Sequence, residues 1–130
     1  MSNSMIVAVT NGSNEEQLRI EKEILKPWDI TYVTGHCKTV AETIALCRDA
    51  TAILTTSAPL TAEVFPHLRR CRIIVRYGIG VDTIDLDAAA AHRIPVVNIP
   101  DYGVDVVADH TVGLLLGAVR KIPQMVSHVK

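Results

Sequence analysis

Arg72-Ile-Ile-Val-Arg76-Tyr-Gly78-Ile-Gly80-Val-Asp82-Thr-Ile-Asp85 opens on an apolar run and closes on a loop with two glycines one residue apart. The run, residues 72–77, reads as a strand apolar on both faces, the pattern of a strand inside a parallel sheet. Outward from it, the same kind of short strand is predicted at residues 5–10, 30–34, 52–56 and 95–99. Helical patterns fill the intervals. Ser13 with Glu16 has the spacing of a capping box and opens a helix to about residue 26, where Pro27 stops it. Thr39 with Glu42 repeats the spacing and begins a helix to about residue 49. Thr61, Glu63 and Val64 begin a short helix interrupted by Pro66, and residues 86–92 form an Ala-rich one. A long apolar helix runs from Val104 to about residue 121, before Pro123.

Five β/α repeats imply an α/β fold: a doubly wound, flavodoxin-like, five-stranded parallel sheet with helices on both faces. In such a sheet ligands lie beyond the carboxyl ends of the strands, where strand order reverses. The loops to inspect are therefore residues 11–13, 55–59, 78–85 and 98–103. No repeat, low-complexity tract or linker divides the chain.

Composition excludes two classes of partner. Thirteen Lys and Arg against fourteen Asp and Glu leave a net charge of -1, with one Trp, three Tyr and one Phe. Neither phosphate neutralisation nor base stacking has the residues it needs, so no nucleic acid is expected. The apolar runs are far shorter than the roughly 20 residues that span a bilayer, so no membrane partner is expected either. The first residues lack the charged and apolar regions of a signal peptide, which points to the cytoplasm. Cys37, Cys47 and Cys71 form no CxxC pair and read as buried, reduced thiols.

The chemistry concentrates in the glycine loop. Gly78 and Gly80 allow a ligand close to the backbone and turn amide N–H groups outward as a small anion nest, suited to a carboxylate. A plain tight turn with Asp82 capping the next helix fits the same residues. A dinucleotide fingerprint does not, because its third glycine would stand where Thr83 is. Arg76 ends an apolar strand, a place for an arginine that either faces solvent or binds an anion. Elsewhere no catalytic set assembles. Asp109 and His110 point about 100° apart on a helix, Asp105 and Asp109 suit an acidic first turn, and His36, His67, His92 and His128 lack metal-ligand spacing.

Residues 76–85, followed by 94–100 and 107–111, resemble the amino-terminal part of the D-isomer-specific 2-hydroxyacid dehydrogenases, in the manner of the phosphoglycerate dehydrogenase and C-terminal-binding-protein branches. The resemblance is clear over about residues 50–130. It implies that residues 1–130 are the amino-terminal part of a substrate domain whose NAD-binding Rossmann domain, with the catalytic Arg, Glu and His, lies outside this chain. It implies a small 2-oxo or 2-hydroxy carboxylic acid as substrate and NAD or NADP as cofactor of the intact enzyme, none held tightly by this chain alone. Arg76 matches an arginine that approaches the substrate carboxylate, and Gly78, Ile79 and Gly80 match the nest that holds it. Thr56 matches a strand-end position facing the same cleft. On the cofactor side, Ile79 and Thr111 match positions near the nicotinamide, and Asn98, the third candidate cofactor-binding residue, matches the asparagine after the fifth strand that lines the cleft. Thr83 departs from the asparagine of many relatives. The alternative is a stand-alone flavodoxin-like module that binds a carboxylate without enzyme activity.

Residues 112–119 are apolar or Gly throughout, just over two helical turns. A helix covering a sheet needs only one apolar stripe, so the other side is expected to need a partner. A dimer or larger homo-oligomer with residues 114–119 between chains is the expectation.

Overall fold

Five strands pair wholly in parallel: β1 (Met5–Val9), β2 (Ile30–Thr34), β3 (Ala52–Thr55), β4 (Ile73–Arg76) and β5 (Val96–Val97). They lie in the order β2-β1-β3-β4-β5. The structure, a computed structural model, describes residues 5–12, 14 and 16–129. From β1 the chain steps outward to β2 and then returns to the other side as β3, so strand order reverses between β1 and β3. The expected doubly wound α/β sheet is the observed one, with each strand within a residue or two of its predicted bounds.

Alternation along the strands sorts the core into two layers. Ala8, Ile53 and Ile74 point to one face, where Cys47, Val64, Phe65, Leu68 and Ala89 meet them. These side chains come from α2 (Val40–Cys47), α3 (Leu86–Ala91) and the segment around a 3-10 turn, Phe65–His67. Val7, Val9 and Leu54 point to the other face and pack with Leu18, the residue leading into α1 (Arg19–Ile24). Each large aliphatic side chain removed from water in this way stabilises the fold by about 1.5–3 kcal/mol.

The helices keep their predicted places but not all of their predicted ends. Thr39 and Glu42 form the expected box: the Glu42 amide donates to Thr39 Oγ1 at 3.3 Å, and Glu42 Oε2 accepts the Thr39 amide at 2.9 Å. A third bond, from the Lys38 amide, helps to hold the Glu42 carboxyl below the usual range. The box expected from Ser13 lies outside the described residues. Instead Asn14 and Gln17 exchange reciprocal bonds at 2.9 and 3.0 Å, and α1 begins only at Arg19. The helix is shorter than the expected 13–26 because its early residues spend their hydrogen bonds in this turn, and because Pro27 disfavours helical backbone before it. At α3 the cap is Asp85, which accepts the Ala88 amide at 2.9 Å, and not Asp82. The helix expected from Thr61 is reduced to the 3-10 turn.

Residues 101–130 form a second compact unit, distinct from residues 1–100. It contains α4 (Val104–Val119) and a helix the sequence reading missed, α5 (Ile122–Val129). Pro123 was expected to mark an end. It stands instead in the first turn of α5, where its missing N–H has no intrahelical partner to lose. Lys121, at a φ of +54°, makes the break between the two helices. Along α4, Val112, Leu114, Leu115, Leu116 and Val119 are exposed. No helix among the described residues is long and apolar enough to cross a membrane.

All three cysteines are buried and unpaired. Burial, with smaller contributions from Cys37 and Cys71, pushes the Cys47 thiol from 9.0 up to about 12, and burial raises Cys37 and Cys71 too. A thiol harder to ionise folded than unfolded stabilises the fold below the unfolded pKa, and that contribution is lost as pH rises through the folded one. The urea midpoint should therefore fall between about pH 9 and about pH 12. Replacing Cys47 with Ala should flatten this fall, and an unchanged slope would contradict it.

Candidate functional site

The site grows from the carboxyl ends of β3 and β4. Thr55 pairs with Arg76 as the last residues of the two strands. The ladder nevertheless continues one step, because the Tyr77 amide donates to the Thr55 carbonyl at 2.8 Å. The chain then reverses: the Gly78 amide turns back to the Arg76 carbonyl at 3.0 Å, closing a three-residue turn. Gly78 has a φ of +146°, and a Cβ there would collide with the Arg76 guanidinium. The backbone angle demands glycine, whereas the guanidinium, the far end of a flexible side chain, could move aside.

Three further contacts pin the loop. The Gly78 carbonyl accepts the Ile99 amide at 3.0 Å, and Asn98 Nδ2 donates to the Ile79 carbonyl at 2.7 Å. On the other side Leu60 bridges it, donating to the Thr83 carbonyl at 2.8 Å and accepting the Asp85 amide at 2.9 Å. Among the described residues the amides of Ile79 and Gly80 find no acceptor. They are the donors an anion nest requires.

Charge stands on both sides of these amides. The half-buried Arg76 guanidinium folds over Gly78, with Nη1 only 3.4 Å from the Tyr77 carbonyl, and its Nε is buried without a partner. The exposed Asp82 carboxylate stands 2.9 Å from where a Gly80 Cβ would be. A small carboxylate arriving at the loop would meet two free amides and a guanidinium with an unsatisfied N–H. The Asp82 carboxylate beside Gly80 would repel it.

Of the sequence-predicted site residues, Arg76, Gly78, Ile79, Gly80 and Asn98 are brought together by these bonds, and Thr56 follows β3 directly beside them. Ile79 presents an apolar side chain that is 46% exposed. Asn98 acts here through its grip on the Ile79 carbonyl. Thr111 belongs to the second unit, on α4, where its hydroxyl donates to the Val107 carbonyl at 2.7 Å. A cavity of about 650 Å³ lies elsewhere, between α1 and β2, lined by Lys22, Trp28 and Tyr32 among others and by none of the predicted residues. Among the described residues no group of three or more His, Cys, Asp or Glu side chains could hold a metal ion.

Sequence reasoning missed two supports of the site. Buried Thr10 and Thr55 join their hydroxyls at 2.8 Å, across the ends of β1 and β3 where strand order reverses. Behind the loop, the Tyr77 phenol donates to Glu21 Oε1 at 2.8 Å. Burial first, and then this bond and charge, raise the Tyr77 phenol well above its ordinary range. The threonines carried a signal, as hydroxyls ending apolar strands; the Tyr77–Glu21 pair spans 56 positions and carried none. Gly78→Ala should destabilise the protein by about 1–3 kcal/mol. Gly80→Ala, whose Cβ meets only the movable Asp82 carboxylate, should cost less. Urea unfolding of the two variants checks this order, and a reversed order would contradict it.

The family model described as "D-isomer specific 2-hydroxyacid dehydrogenase, catalytic domain" matches residues 7–127. A D-3-phosphoglycerate dehydrogenase of Methanocaldococcus jannaschii is 34% identical over 95% of this chain, which covers 23% of that protein. Among solved structures, an NAD+-bound 3-phosphoglycerate dehydrogenase of Entamoeba histolytica superposes with a TM-score of 0.76 at 27% identity, over 91% of this chain and 40% of that one. A D-lactate dehydrogenase from Aquifex aeolicus, complexed with NAD and lactic acid, gives 0.76 at 26% identity, over 96% of this chain and 37% of that one. The chain thus spans about a quarter of that curated relative's length and about two fifths of these solved chains.

Proposed function

The chain belongs to the D-isomer-specific 2-hydroxyacid dehydrogenase family, and from that membership we propose that it is the substrate-binding part of an NAD-dependent oxidoreductase acting on the CH–OH group of D-2-hydroxyacids. The observation that carries the reading is the pinned loop with two amides left without acceptors beside Arg76. In this reading the substrate carboxylate accepts the Ile79 and Gly80 amides, and the Arg76 guanidinium leaves Gly78 to pair with it. Thr56 and Asn98 bound the same cleft, Asn98 by fixing the loop.

NAD, when bound, supplies or accepts the hydride at the substrate carbon. The residues described do not fit its pyrophosphate. The third glycine of the fingerprint is replaced by Thr83, and the N-terminus of α3 after this loop is already filled by the Asp85 carboxylate, with Asp87 in its first turn. Ile79 and Asn98 therefore stand as contacts for the nicotinamide end only, with the rest of the cofactor and the proton-transferring groups supplied from outside these residues. Alone, the chain is expected to bind the acid without turning it over. Buried, unpaired cysteines support a reducing, cytoplasmic setting. The exposed apolar residues of α4 support a homo-oligomer, which light scattering at high protein concentration should detect and a monomer mass would contradict.

An NMR titration of the chain with pyruvate, as a simple 2-oxo acid, tests the reading. The Ile79 and Gly80 amides should move most. Arg76→Ala should weaken binding by roughly ten- to a hundredfold, the worth of a charge-assisted hydrogen bond. Asp82→Asn should strengthen it severalfold, since like charges about 4 Å apart in water repel by about 1 kcal/mol. Shifts confined to other residues, or an affinity indifferent to Arg76, would overturn the assignment. Binding at the loop in an intact protein that oxidises no 2-hydroxyacid would favour the carboxylate-binding module instead.

A further inference from the structure

Tyr77 is the last residue before the backbone reverses into the loop, and it is held at two points. Its amide is bonded to the Thr55 carbonyl, and its phenol reaches across the second core layer to Glu21 on α1. A residue fixed at both its main chain and the far end of its side chain has little torsional freedom left. The following amide, that of Gly78, is thereby directed at the Arg76 carbonyl, and the Gly78 carbonyl at the Ile99 amide.

The surroundings of Glu21 do not suggest a group placed for stability. Its other carboxylate oxygen is buried without a partner, and so is the hydroxyl of Tyr32, which is near enough to feel the charge of the same carboxylate. A carboxylate with an unpaired buried oxygen costs free energy that an apolar side chain of the same size would not. What the carboxylate does provide is a directional acceptor for one phenol.

We propose that Glu21 and Tyr77 form a latch that sets the pose of residues 78–80, making Tyr77 and Glu21 positioning residues for carboxylate binding. The ligand half of this statement rests on the function proposed above; the loop half does not. The latch runs through the core layer of Val7, Val9, Leu18 and Leu54, whereas Leu60 belongs to the other layer and Asn98 grips the Ile79 carbonyl, so neither contact duplicates it.

Amide hydrogen exchange on the full chain, in Tyr77→Phe and Glu21→Ala, separates the latch from a general structural role. The Ile99 amide, bonded to Gly78, should exchange about tenfold faster or more, while the Ile74 amide, bonded to the Pro95 carbonyl in the same sheet, keeps its rate. Pyruvate affinity should fall by about tenfold, the usual worth of one such bond. Glu21→Gln, which keeps an acceptor for Tyr77 and offers a donor to Tyr32, should restore wild-type exchange and affinity. Equal acceleration at Ile99 and Ile74, no acceleration at Ile99, or no rescue by Gln would each overturn the latch. If the wild-type chain binds no pyruvate, the functional reading fails and the exchange rates still decide the latch.

Discussion

A single backbone hydrogen bond, from the Tyr77 amide to the Thr55 carbonyl, carries the order of the sheet past the end of β4 and into the loop. A loop at the carboxyl edge of a parallel sheet ordinarily leaves its strand and becomes mobile. Here the next residue is forced to turn back on Arg76, and the one after is caught by Asn98, just past β5. Leu60 then stitches the far end of the loop to the segment after β3. Because most polar groups of the loop are committed to such bonds, the amides of Ile79 and Gly80 stay available and keep a fixed direction. Donors fixed before the ligand arrives need no reorganisation when it does.

The electrostatics of the loop follow from the same turn. Closing it on Arg76 brings the guanidinium over Gly78, where its Nε is shut off from water and finds no acceptor. An unsatisfied charged donor of this kind costs free energy that an incoming anion can recover. Asp82 acts in the opposite sense. It is exposed, so water and salt screen its repulsion, and its side chain can swing clear. The guanidinium, which is half-buried, is therefore the stronger of the two charges toward a bound carboxylate.

How much of this could be read beforehand depended on the range of the interaction. The strands were legible because each carries its own apolar pattern, and the Thr39–Glu42 box because its partners are three residues apart. The start of α1 was misplaced because Asn14 and Gln17 offer the same reciprocal chemistry one residue along from Ser13 and Glu16. Pro123 was misread because proline both follows helices and opens them. The glycine loop announced itself by composition, and Arg76 by being a charge in an apolar run. Its supports did not. Thr10 with Thr55 and Tyr77 with Glu21 are pairs made only when distant strands and helices come together, so no local pattern marks them.

The most direct measurement is a crystal structure of the intact protein containing this chain, grown with a 2-oxo acid. The carboxylate should lie within hydrogen-bond distance of the Ile79 and Gly80 amides, with the Arg76 guanidinium turned from Gly78 toward it and Asp82 displaced. An acid bound elsewhere, with Arg76 still folded over Gly78 and both amides facing solvent, would contradict the assignment of this loop as the substrate's carboxylate site.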